Sequence, residues 1–285
     1  MNLDFYCRPV DLSAPGAQAK QFNGLPRGNV GALAKVVQGL LIHEHMTEAY
    51  GVKLPPQRHS EAHVRPVEDM IERIVAADPR PLSSPRAPEG RYVCVCRSFA
   101  LFMVSMLRSQ NVPARARCGF GAYFEKGKFL DHWVVEYWSD AQRRWILVDA
   151  QIDDRQRDMF SISIDTLDVP RDQFLVAGDA WQRTRGGKAD PMAFGILDMW
   201  GSWFIASNII RDVAALNNRE MLPWDVWGGM RGSNSSLDVA FFDHLAGLTV
   251  RPDEHFDELR MLFKDERIAV PTTVFNAVLN RPEAA

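Results

Sequence analysis

The sequence predicts an α+β fold in which one buried helix packs on an antiparallel sheet, with additional N- and C-terminal helices. Three observations predict it. A densely apolar run from Phe99 to Leu107 follows Cys96 and is closed by Asn111 and Pro113, as a buried helix would be. Two runs rich in β-branched and aromatic residues, 132–138 and 143–151, are separated by Ser139, Asp140, Ala141 and Gln142, a common hairpin loop length. Apolar residues at helical spacing recur on both sides of this central segment.

Taken in order, residues 1–24 show little periodicity and read as an arm packed on the body. Leu33, Val36, Val37, Leu40 and Leu41 mark a helix from Asn29 to Glu48, and Val67, Met70, Ile71, Ile74 and Val75 mark a second from Pro66 to Ala77. Prolines and serines over 77–90 make a connector. Beyond the two strand runs come a short strand and a helix, then an apolar helix from about Pro191 to Asn208 that continues toward Leu216. Two more helices lie in the last fifty or so residues. The expected division is 1–90 for the arm and first helices, 91–165 for the central core and 166–285 for a mostly helical elaboration of the same globular unit.

The chemistry concentrates in the central segment. Cys96 falls in the first turn of its helix, where unpaired amide N–H groups and a partial positive charge favour a thiolate. If Trp138 pairs with Arg143 across the four-residue loop, His132 lies directly opposite Asp149 and shares its face. A thiol, an imidazole and a carboxylate so arranged are the parts of a nucleophilic acyl-transfer site.

The stretch from Arg91 to Gln151 resembles the transglutaminase-like superfamily, with its papain-like core. The motifs that carry the resemblance are VCRSFALFMVSMLRSQNVPARARCGF, DHWVVEYW and WILVDAQ. It implies Cys96 as nucleophile, His132 as general base and acid, and Asp149 as the carboxylate that orients the imidazole. It also implies amide hydrolysis of a peptidase or amidase type through a thioester acyl-enzyme. Protein-glutamine transamidation by the same residues, or a non-catalytic binding protein on the same fold, are the alternatives. The resemblance implies no cofactor, and the expected partner is a peptide, protein or small amide substrate. This sequence departs from the family pattern at Cys94, Ser98 and Ala150. The backbone N–H of Cys96 is the natural first oxyanion donor, Tyr92 or Gln57 is a candidate second, and Cys94 and Trp133 are candidate pocket residues.

Other signals are weaker. Cys94 and Cys96 form a C-x-C pair that could give zinc two ligands, but the remaining ligands would have to come from His43 and His45 or from His59 and His63. His43 and His45, two apart on the expected first helix, cannot share a face, and no metal is expected. Arg115, Arg117, Arg143, Arg144, Arg155 and Arg157 read mostly as solvated positions, some of which could meet an acidic substrate group. Trp224 and Trp227 precede a Gly/Ser-rich loop and could form a lid, or simply pack on the core.

A net charge of −3 and a pI near 6.2 argue against a nucleic-acid surface. Four cysteines in 285 residues make no disulfide framework. The first residues lack the apolar core of a signal peptide, and the apolar stretch near residue 200 is interrupted by Asp198. Cytoplasmic localisation without membrane contact is the expectation, and the oligomeric state is open.

Overall fold

A computed structural model describes residues 2–233 and 235–285. The fold is α+β, and the chain divides into two compact units that interleave along it. The first unit is Leu3–Arg115 with Val134–Val169, and the second is chiefly Ala116–Trp133 with Pro170–Ala285.

In the first unit, α1 (Val30–Leu40) starts where the Asn29 side chain accepts the Ala32 N–H at 2.9 Å, a side-chain N-cap. The helix stops earlier than its apolar spacing predicts. Leu41–His43 turns extended as β1 and pairs in parallel with β2 (Tyr92–Cys94), setting His43 opposite Cys94. Apolar spacing cannot show this end, because a three-residue strand is defined by its partner. Between them, α2 (Val67–Ala77) buries Val67, Met70, Ile71 and Ile74 on one stripe, as predicted.

Helix α3 (Cys96–Ser109) is the centre of this unit, buried from Cys96 through Arg108 and packed by α1 and α2. Its two arginines are satisfied by oxygens of neighbouring segments. Arg97 donates to the Arg65 carbonyl at 2.8 Å, and Arg108 to the Ala114 carbonyl at 2.8 Å and the Ser13 hydroxyl at 3.0 Å.

The chain then runs through β3 (Ala114–Gly121) and back along β4 (Phe129–Ser139) into an antiparallel hairpin with β5 (Arg144–Val148). The register differs from the expected one. Trp138 faces Trp145 and Val135 faces Val148, so the loop is residues 140–143, with Arg143 at φ +52°. This register is displaced by two residues from the predicted one, so the continued line from Asp149 would meet Val134 instead of His132. An even displacement leaves the alternation of faces unchanged. The short α4 (Asp154–Met159) follows, capped by the Asp153 side chain.

In the second unit, β6 (Phe174–Val176) pairs antiparallel with β3 and leads into α5 (Ala177–Arg185). The expected helix from Pro191 is instead a hairpin, β7 (Phe194–Ile196) and β8 (Met199–Trp200), followed by α6 (Ser202–Leu216). β7 runs parallel to the start of β4, and Phe129 and Phe194 stack at 4.4 Å. β9 (Asp225–Val226), α7 (Val239–Val250), α8 (Phe256–Leu262) and the antiparallel pair β10 (Thr273–Asn276) and β11 (Arg281–Ala284) complete the chain. Among the described residues no helix is long and apolar enough to cross a membrane.

Two arginines of β3 are not solvated. Arg115 pairs with buried Glu136 at 2.7 Å in the first unit. Arg117 in the second unit meets Asp212 of α6 through two bonds, 3.0 and 2.8 Å, and donates to the Thr249 carbonyl on α7. Asp212 also accepts the Cys118 N–H at 2.9 Å. Removing one partner of a buried pair strands the other charge, at a cost of about 3–5 kcal/mol. Asp212→Ala should therefore lower the unfolding free energy by about that amount in urea titrations, whereas Asp154→Ala, at an exposed ion pair, should change it little.

Candidate active site

The first unit holds two of the three predicted catalytic groups. Cys96 is the first residue of α3, after an extended Val95 at φ −123°, and is buried with 7% of its surface exposed. Asp149 follows β5 and is buried. Its backbone N–H donates to the Thr166 carbonyl at 2.8 Å, and one carboxylate oxygen accepts the Gln151 N–H at 3.0 Å. The Gln151 amide donates to Gln156, whose own amide donates to the Tyr50 hydroxyl. This buried amide chain holds the turn that orients Asp149.

The wall before the thiol is fastened by one carboxylate. Residues Pro56–His63 form a 3-10 turn in which Glu61 accepts two bonds from Arg58 and the Val93 N–H at 2.8 Å. The Tyr92 hydroxyl donates to the Glu61 carbonyl at 2.7 Å. That proton is committed to a backbone oxygen, which removes Tyr92 as the second oxyanion donor. Gln57 lies exposed on the same turn.

The histidines are not where a helix would have put them. His43 ends β1, and its Nδ1 accepts the His45 N–H at 3.2 Å, bringing the two rings to 5.5 Å. His45 and His59 each approach Glu44, at 3.9 and 3.7 Å. Among the described residues no three His, Cys, Asp or Glu side chains group as a metal site requires.

His132 belongs to the second unit, on β4, and is buried. Its ring is met edge-on by Phe124 at 4.9 Å and by Tyr123 at 6.2 Å. The sequence reading missed both aromatics, because they lie in the turn region between β3 and β4, where periodicity has nothing to report. The preceding residue, Asp131, points to the other face. It accepts from Asn208 of α6 at 2.7 Å, and Asn208 in turn accepts from Arg211. Burial raises the Asp131 carboxyl above the usual carboxylate range.

One pocket candidate and one lid candidate lie in the core. Trp133 is turned away from the face of His132 by strand alternation, and its buried indole N–H has no acceptor among the described residues. Trp227 is buried, with its indole N–H donated to the Ile268 carbonyl at 2.9 Å. It is anchored as packing and not free to act as a lid. Trp224 is half-buried beside it, next to the β9 strand.

Residues 55–150 match the family model described as the transglutaminase-like superfamily. This span contains Cys96, His132 and Asp149. A search of the curated proteins returned no similar sequence. A solved structure of a candidate cysteine protease from Cytophaga hutchinsonii is similar at 14% identity and a TM-score of 0.37. The alignment covers 61% of this chain and 45% of that one, less than half of that protein's length.

Within the matched span, Cys94 and Cys96 are both buried. Cys94 is wholly buried, and desolvation, then the neighbouring Cys96, push its pKa well above that of a free thiol. A raised pKa means that Cys94 stays protonated at a pH where a free thiol has begun to ionise. Iodoacetamide at pH 8 should therefore leave Cys94 unmodified in the native protein and label it once the protein is unfolded in urea, as read by peptide mass spectrometry.

Proposed function

We propose that the protein is a cysteine-dependent amide hydrolase in which Cys96, His132 and Asp149 act as nucleophile, general base and acid, and orienting carboxylate. The observation that carries the reading is Cys96 as the first residue of a buried helix inside the transglutaminase-like span. Such a position offers a thiolate the free amides and partial positive charge of a helix N-terminus.

Three further features support it. The Gln151 N–H occupies one oxygen of Asp149 and limits how the carboxylate can turn. His132 is held by aromatic edges instead of solvent. The even displacement of the β4–β5 register preserves the alternation of faces on which the His–Asp pairing relies.

The reaction follows from these groups. His132 takes the proton of Cys96, and the thiolate sulfur attacks the amide carbonyl carbon to give a tetrahedral oxyanion. The backbone N–H of Cys96 is the natural donor to that oxygen, and a donor of this kind is worth about 3–4 kcal/mol in such sites. The C–N bond breaks as the imidazolium gives its proton to the departing amine, leaving a thioester. Water then attacks with His132 as base, the carboxylic acid leaves, and the thiol recovers its proton. Asp149 keeps the imidazole in the tautomer this needs and stabilises its charged form. An amine in place of water at the second step would give transamidation from the same thioester.

The test is the pH dependence of Cys96 alkylation by iodoacetamide in the parent protein and in His132→Ala. Selective labelling of Cys96 at pH 6–7 that falls at least tenfold in the variant is the expected result. Labelling no faster than that of Cys7, and indifferent to His132, would overturn the proposal. Asp149→Asn should retain labelling while lowering hydrolysis of an amide substrate by two to four orders of magnitude, roughly the cost of a wrong tautomer in a comparable triad.

A further inference from the structure

One face of the sheet in the second unit leads from His132 to a cleft lined by indoles. Residues paired across adjacent strands share a face. Leu130 of β4 is paired with Gly195 of β7, and Gly195 with Trp200 of β8. His132 lies two residues beyond Leu130 on β4 and so faces the same way. Lys128 immediately precedes β4, and its ammonium sits 4.7 Å from the centre of the Trp200 ring.

The ring is held in position. Its N–H donates to the Leu197 carbonyl at 2.6 Å. A Cβ at position 195 would come within 2.7 Å of the ring and 2.1 Å of the Met199 carbonyl, so only glycine leaves room for the indole there. Gly201, at φ +104°, then turns the chain from β8 into α6 and brings Trp203 to the same cleft. The cleft has a volume of about 870 Å³ and is lined by Pro191, Met192, Asp198, Met199, Trp200 and Trp203 among others. Two half-buried indoles and two thioethers form an apolar, polarisable side suited to an aromatic ring, beside a polar side made by Asp198, Ser202, Ser233 and Ser235.

We propose that Trp200 is a specificity-determining residue, and that this cleft receives an aromatic side chain of an extended peptide substrate. The proposal rests on His132 being the catalytic imidazole. Two strand spacings across and two residues along separate the backbones of Trp200 and His132 by roughly 12 Å, the span of three or four residues of extended peptide. The aromatic residue would therefore lie that far from the His132 backbone.

The experiment measures binding without turnover. Acetylated hexapeptide amides of alanine and glutamine, with or without a single phenylalanine walked through the positions, are titrated into Cys96→Ala protein by calorimetry. The best phenylalanine peptide should bind at least tenfold more tightly than the peptide without one. Adding Trp200→Ala should abolish that preference and Trp200→Phe should keep most of it, with circular dichroism confirming that each variant is folded. Trp203→Ala serves as a second probe of the cleft and should weaken the preference. No preference in the parent, or an equal preference in folded Trp200→Ala, would overturn the proposal. Cys96 alkylation in Trp200→Ala, measured in the same series with Cys96 present, separates the two readings. An activated thiol without aromatic preference defeats the cleft alone, and aromatic preference beside an unactivated thiol defeats the catalytic reading alone.

Discussion

Burial of α3 on every side is the constraint on which the first unit depends. A charged group on a helix with no solvent-facing side is costly unless it finds partners inside the protein. Arg97 and Arg108 find theirs in backbone oxygens at 65 and 114, and Ser13 supplies one more. These bonds tie both ends of the helix, the one beside Cys96 included, to neighbouring segments. The apolar residues between the two arginines provide the driving force, at about 1.5–3 kcal/mol for each large side chain removed from water.

The same rule governs the strands. β3 places a guanidinium in each unit, Arg115 against Glu136 and Arg117 against Asp212, with both pairs buried. Arg117, Asp212, the Cys118 amide and the Thr249 carbonyl form a closed set of bonds that ties β3 to α6 and α7. A second chain, Asp131 to Asn208 to Arg211, holds β4 from the face opposite His132. Polar groups within the core thus set the positions of the strands, while the imidazole is bordered by aromatic edges.

The two cysteines near the start of α3 illustrate how position decides chemistry. Both are buried, yet Cys94 ends a strand and faces His43 across a parallel pair, while Cys96 opens a helix. Desolvation holds the first as an inert thiol. The second lies at the positive end of the helix dipole, an environment of the opposite kind for a thiol.

Periodicity and residue chemistry made several elements legible in the sequence: α2 with its buried stripe, α3 beginning at Cys96, and the two strands that carry His132 and precede Asp149. Those features are local, since helical spacing, β-branched runs and terminating prolines act within a few residues. The early end of α1, the β7–β8 hairpin before α6 and the exact β4–β5 register were not legible, because each is decided by a partner strand remote in sequence. The burial of Arg115 and Arg117 was hidden for the same reason: an arginine reads as solvated until the carboxylate that neutralises it is known. Likewise Tyr92 and Trp227 are defined by the carbonyls that take their protons, at Glu61 and Ile268. By itself the sequence determined which side chains are chemically able to act and which local elements carry them. Only the tertiary structure decided which polar groups are already occupied by others, because hydrogen-bond and charge pairing in a core depend on segments that meet only when the chain is folded.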